Sequence, residues 1–118
     1  MARDAARLSM KGKASQKDRT NQLVKSVVRL VHPQRIVLFG SCARGTARAD
    51  SDVDLLVVMQ DGTHRRHTAQ HLYEHLRDLG VPFDVVVATR SDVEKHRTTC
   101  GLIYRTALEE GVTVYDAQ

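Results

Sequence analysis

Cysteine is scarce in this 118-residue chain, with only Cys42 and Cys100 present. Two thiols without a CxxC neighbour provide neither a disulfide framework nor a cysteine-based metal site, and a reduced cytoplasmic setting fits that usage. Long apolar runs are absent too: nothing approaches the roughly 20 consecutive apolar residues of a membrane-spanning helix. The charged N-terminal stretch is not followed by an apolar segment, which argues against a secretory leader. No internal repeat or low-complexity linker interrupts the chain. The length fits one domain with a core of its own and is short for a two-domain enzyme.

An excess of one sign of charge is missing from most of the sequence. The formal charge of +4 resides in residues 1–20, where Arg3, Arg7, Lys11, Lys13, Lys17 and Arg19 face only Asp4 and Asp18; the remainder is balanced. Residues 1–19 therefore read as a basic, flexible tail, either solvated or touching nucleic acid or an acidic partner. Residues 20–118 read as the folded domain.

What the chain does contain is alternation. Leu23, Val24, Val27, Val28, Leu30 and Val31 recur at helical spacing over 17–32, and Pro33 stops that helix because the residue before proline avoids the α region. Apolar runs at 35–39, 53–59 and 83–87 predict three strands, the first two covered on both faces. Between them, 63–79 predicts a helix carrying Ala69, Leu72, Leu76 and Leu79, with Gly80 as its stop. Ser91 followed by Glu94 resembles a capping box, so a helix is expected to start there. A last helix over 102–110 ends at Gly111, and 112–115 adds a short edge strand. Helices alternating with strands predict an α/β sandwich.

The chemistry concentrates where the first two strands meet the loops between them. Ile36-Val-Leu-Phe-Gly-Ser41 ends an apolar run in a glycine turn, and Ser51-Asp-Val-Asp-Leu-Leu-Val-Val58 opens the next run with two carboxylates. Alternation along a strand puts Asp52 and Asp54 on one face, their Cα atoms about 6.6 Å apart at a rise of about 3.3 Å per residue. Carboxylates at that spacing suit hard divalent cations, whereas a solvated pair at a strand start would be unremarkable. Asp54 lies inside the apolar run, where an unpaired charge costs several kcal/mol. The Gly40-Ser41 turn offers backbone N–H groups to an anion, and Ser41 suits either that role or a helix cap. Arg44 and Arg48 follow the turn, where a guanidinium grips phosphate or stands in solvent. Ser51 either orients the Asp52 loop or makes a turn. Asp84 is an isolated carboxylate in the third strand, suited to an arginine partner or to capping a neighbouring helix.

Gly40-Ser41, the ten-residue gap and Asp52-x-Asp54 resemble the signature of the DNA polymerase β-type nucleotidyltransferase superfamily. The longer string from Phe39 to Val57 is similar to its small prokaryotic branch, the minimal nucleotidyltransferases (MNT), over roughly residues 20–116. Ala49 stands where many relatives carry proline. The resemblance implies a small mixed β-sheet with flanking helices, the polymerase β palm-like fold. It implies Mg²⁺, two ions, on Asp52, Asp54 and Asp84, with Asp84 taking the acceptor's proton, and nucleotide held by Gly40, Ser41, Arg44 and Ser51. It implies ATP as substrate and AMP transfer to a HEPN-type ribonuclease toxin, bound as a hetero-oligomer and neutralised. Two other functions stay open: a sugar- or aminoglycoside-type nucleotidyltransferase, and an antitoxin that acts by binding alone.

His64, His67, His71 and His75 form a stripe on the second predicted helix. Two of them have i, i+4 zinc spacing, but no glutamate or third ligand accompanies them, so a solvated or partner-facing helix edge is expected.

Overall fold

The computed structural model describes residues 16–48, 51–96 and 107–117. Cys100, most of the basic tail and the first part of the last predicted helix lie outside these residues. Helix α1 (Gln16–Val31) buries Leu23, Val24 and Val27. It stops at His32, which takes a positive φ of 48° directly before Pro33 and still donates its N–H to Val28 O at 3.0 Å. Strand β1 (Arg35–Phe39) leads through Gly40 into the single-turn helix α2 (Ser41–Arg44). Strand β2 (Val53–Met59) follows, then α3 (Arg65–Leu76) with a 3₁₀ turn over Arg77–Leu79, and β3 (Phe83–Thr89). Helix α4 (Arg90–His96), a helical turn at 107–110 and β4 (Val112–Asp116) complete the described chain.

The four strands form one sheet in the order β3-β2-β1-β4. β1 runs antiparallel to β2 and to β4, while β2 and β3 are parallel, so the sheet is mixed. Side chains alternate between its two faces. On one, Val53, Leu55, Val57 and Met59 of β2 pack with Val85 and Val87 of β3, Leu23 and Val27 of α1, and Leu72 and Leu76 of α3. On the other, Leu56 and Val58 pack with Val37, Phe39, Ala88 and Ala107. Leu23, Ile36, Leu55, Leu56, Leu72 and Leu76 are at most 1% exposed. Each contributes about 2 kcal/mol of hydrophobic stabilisation, a core that needs no disulfide. Gly111 is held against this face too, since a Cβ there would collide with Ala107 O and Val37 Cγ1.

Two helix starts differ from the sequence reading. α3 begins at Arg65, and His64 stands before it as the cap, its Nδ1 accepting from His67 N at 3.2 Å. The imidazole competes for the exposed amide where a serine or aspartate would normally sit. At α4 the capping pair is Thr89 with Asp92, not Ser91 with Glu94. Thr89 N donates to Asp92 Oδ2 at 3.0 Å and Asp92 N donates to Thr89 Oγ1 at 3.2 Å. Asp92 also accepts from Arg65 Nη1 at 3.0 Å, which ties α4 to α3.

Ser91 serves a different contact. Its N–H and hydroxyl donate to the two oxygens of Asp61, at 2.8 and 2.7 Å, clasping the β2–α3 turn to α4. These bonds, the hydroxyl's first, hold the Asp61 carboxyl below its ordinary value of 3.8. A carboxylate depressed on folding stabilises above its unfolded value, and that stabilisation is lost as pH falls through the folded one. Asp61→Ala is therefore expected to melt lower than the native protein at pH 7, with the gap closing below about pH 3.8. A gap that persists unchanged in acid would show that the clasp does not depend on the ionised carboxylate.

Candidate active site

β2 enters the sheet at Val53, so Asp52 stands just before the strand and is exposed, while Asp54 is half-buried within it. The parallel register sets Asp54 opposite Asp84. The two side chains therefore stand side by side on the α4 face, their backbones about 4.8 Å apart. Like charges directly across a sheet repel. Burial, then the charges of Asp84 and Asp52, push the Asp54 carboxyl above its ordinary value, and Arg44 pulls it partly back. The structure thus brings Asp52, Asp54, Asp84 and Arg44 into one electrostatic neighbourhood.

Gly40 shapes the other wall. Its backbone (φ 75°, ψ −156°) lies in a region open essentially to glycine alone. A Cβ there would meet the Asp54 carboxylate. The missing side chain is what allows β1's end to approach the acid this closely. Ser41, half-buried, opens α2, and Ala43 and Arg44 donate their N–H groups to Gly40 O at 3.1 Å. Gly45 closes α2 in the left-handed region.

The remaining site residues predicted from sequence hold simpler contacts. Arg44 Nη1 lies 3.5 Å from Glu110 Oε1, both side chains about half exposed at 51%. Arg48 and Ser51 bond to each other: Arg48 N donates to Ser51 Oγ at 2.7 Å, and Ser51 N to Arg48 O at 3.0 Å. His64 and His67 stack at 3.8 Å, and His71 and His75 sit at 4.2 Å. Among the described residues, no group of three or more His, Cys, Asp or Glu gathers as a ready-made metal site. Asp52, Asp54 and Asp84 nevertheless fit a hard divalent cation by donor chemistry: all are carboxylates, and the repulsion raising Asp54 is what a cation would relieve.

One residue escaped the sequence reading. Tyr73, on α3, reaches the outer edge of β3, where its hydroxyl donates to Asp84 Oδ1 at 2.5 Å and accepts from Val85 N at 3.0 Å. Burial and the Asp84 hydrogen bond push its phenol above the usual value, keeping it protonated as a donor.

A cavity of about 420 Å³ lies behind α2, lined by Lys17, Thr20, Asn21, Leu38, Cys42 and Val114 among others. Cys42 is half-buried there, its Sγ 3.5 Å from Asp52 O. Among the described residues no helix is long and apolar enough to cross a membrane.

Comparison with known proteins gives a family model described as a nucleotidyltransferase domain, which matches residues 20–114. No curated protein matches significantly. Among solved structures, a Sulfolobus solfataricus protein named as a nucleotidyltransferase is 21% identical with a TM-score of 0.55, covering 93% of this chain and 94% of its own. One named as a minimal nucleotidyltransferase is 27% identical, with a TM-score of 0.51 and coverage of 89% and 98%. A complex of tri-AMPylated Shewanella oneidensis HEPN toxin with an MNT antitoxin contains a chain 22% identical to this one. Its TM-score is 0.52, and 88% of this chain and 75% of that one are covered.

Proposed function

Because the chain belongs to the nucleotidyltransferase domain family, we propose that it transfers AMP from ATP to a hydroxyl of a partner protein. We take that partner to be a HEPN-type toxin, held in a hetero-oligomer in the cytoplasm and neutralised by the modification. The observation that carries the reading is the pairing of Asp54 with Asp84 beside the Gly40 turn. The likeness to a complex of an AMPylated HEPN toxin with an MNT antitoxin supports the partner. A related toxin–antitoxin structure, 22% identical with a TM-score of 0.53, was solved with AMP-PNP, which supports the nucleotide.

In this mechanism Gly40 and Ser41 bind the triphosphate through backbone N–H groups and the serine hydroxyl. Ser51 steadies the approach to Asp52 through its hydrogen bond with Arg48. Arg44 adds a guanidinium for phosphate oxygens. Its pair with Glu110, half exposed on both sides, holds it by at most about 1 kcal/mol, so a bound phosphate can take it over. The acceptor oxygen attacks the α-phosphorus, the bond to the bridging oxygen breaks, and pyrophosphate leaves. Asp84 accepts the acceptor's proton. Mg²⁺, two ions held by Asp52, Asp54 and Asp84, would neutralise the triphosphate and stabilise the attacking and leaving oxygens. The residues otherwise act by position and charge, as phosphoryl transfer requires.

The test incubates the purified protein and its co-purifying partner with Mg²⁺ and α-labelled ATP, beside an Asp52→Ala/Asp54→Ala control. Label on the partner with the native protein alone is the expected result. A stable complex without label from either protein would sink AMPylation of that partner. It would favour neutralisation by binding alone. Label on a small molecule instead would favour the sugar- or aminoglycoside-type activity.

A further inference from the structure

We propose that Tyr73 is a positioning residue for Asp84: its phenol takes one carboxylate oxygen and thereby fixes the direction in which the other is presented. The inference rests on the nucleotidyl-transfer reading above and adds a residue that acts through Asp84 alone.

The argument begins at the edge of the sheet. β3 is the outer strand, next to β2 only, so alternate N–H groups along it lack a strand partner, and Val85 turns one of them to α3. That N–H donates to Tyr73 Oη at 3.0 Å, which occupies the acceptor side of the hydroxyl. Its proton then has two acceptors within reach, Asp84 Oδ1 at 2.5 Å and Val85 O at 3.5 Å. The carboxylate is nearer and charged, so it wins. The hydroxyl is thus a donor of fixed direction.

The phenol is anchored independently of the carboxylate. Its ring stacks on Phe83, centroids 5.1 Å apart and 17° between planes. Its helix is fastened to the core by Leu72, 0% exposed, and Leu76, 1% exposed. Asp84, by contrast, is exposed and short, and without a partner its carboxylate would rotate among several orientations. With Oδ1 held, Oδ2 is the oxygen left free of Tyr73 to serve the reacting groups. Outer partners that orient a ligating carboxylate typically contribute about 10- to 100-fold in metal affinity or activity.

Tyr73→Phe isolates the hydroxyl, because phenylalanine keeps the ring and its stack on Phe83. Mn²⁺ binding, followed by electron paramagnetic resonance, is compared among the native full chain, Tyr73→Phe and Asp84→Ala, together with kcat and KM for AMP transfer to the partner. We expect Tyr73→Phe to melt within a few degrees of the native protein and bind Mn²⁺ about tenfold more weakly. Its kcat should fall about tenfold or more at nearly constant KM for ATP. A folded Tyr73→Phe with native Mn²⁺ affinity and native kcat overturns the inference. A variant that no longer folds overturns it as well, since the hydroxyl would then be holding the β3 edge and not the carboxylate. Native protein that binds Mn²⁺ no more tightly than Asp84→Ala overturns the underlying reading of Asp84, an outcome distinct from either.

Discussion

Asp54→Asn is expected to melt higher than the native protein at neutral pH, without added metal, while losing nucleotidyl transfer by at least about a hundredfold. The two effects have one cause. Asp54 is half-buried beside Asp84 and near Asp52, and its carboxyl is pushed up by burial first and by those charges next. A raised folded-state value means that the ionised form destabilises the fold. That penalty is full above the raised value and absent below the ordinary value of 3.8, where both states are protonated. Asparagine has nearly the same shape and carries no charge, so it removes the penalty. It also removes the charge that the proposed transfer would use: about 2.7 kcal/mol of lost transition-state stabilisation is a hundredfold in rate. Melting curves at pH 7 in chelator, paired with the labelled-ATP assay, read both arms. A lower melting point would mean that the carboxylate makes a favourable contact that outweighs the repulsion. Added Mg²⁺ should shrink the difference, because a cation that binds only the native site stabilises only the native protein.

Gly40→Ala should lower stability by about 1–3 kcal/mol and also abolish transfer, for separable reasons. The first is backbone: φ 75°, ψ −156° is a conformation that an L side chain adopts only under strain. The second is the collision of the new Cβ with the Asp54 carboxylate. Asp54 has a short side chain, so the collision is relieved by turning the carboxylate away, which moves the acid off its position. A cycle with Asp54→Ala separates the two. In the Asp54→Ala background the collision is gone, and the remaining stability cost of Gly40→Ala is the strain alone. Equal costs in both backgrounds would mean that the carboxylate is not what Gly40 makes room for.

The strands were legible because each is a short apolar run bounded by a breaker: Pro33 before β1, Gly62 after β2, Gly80 before β3. Their neighbours were not. Chain order carries no direct record of pairing, so the placement of β1 between β2 and β4 rests on contacts between residues such as Ile36 and Tyr115. α4's cap was misread because Ser91 and Glu94 match the capping pattern locally, while Thr89 and Asp92, two positions earlier, satisfy it in three dimensions. Ser91 is occupied by Asp61, thirty residues away, and no local pattern encodes that. At the site, Gly40, Ser41 and the acidic pair were visible as a motif because both segments are contiguous. Asp84 stood out as a carboxylate in an apolar strand, yet its register against Asp54 appears only in the sheet. Tyr73 was invisible for the opposite reason. A helix and the edge of a strand bring it to Asp84, and neither segment is unusual alone.

The alternation of β2 has a consequence for how the chain finds its fold. Val53, Leu55 and Val57 point into the layer under α1 and α3, and Asp54 points away from it. A slip of β2 by one residue would exchange the two faces. Asp54 would then lie among Leu23, Val27 and Leu72, where an unpaired carboxylate costs several kcal/mol. A sheet of nearly uniform valine and leucine could tolerate such a slip, because its two faces are almost equally greasy. The acid makes the frames unequal, so Asp54 also weighs against a slipped register as the protein folds.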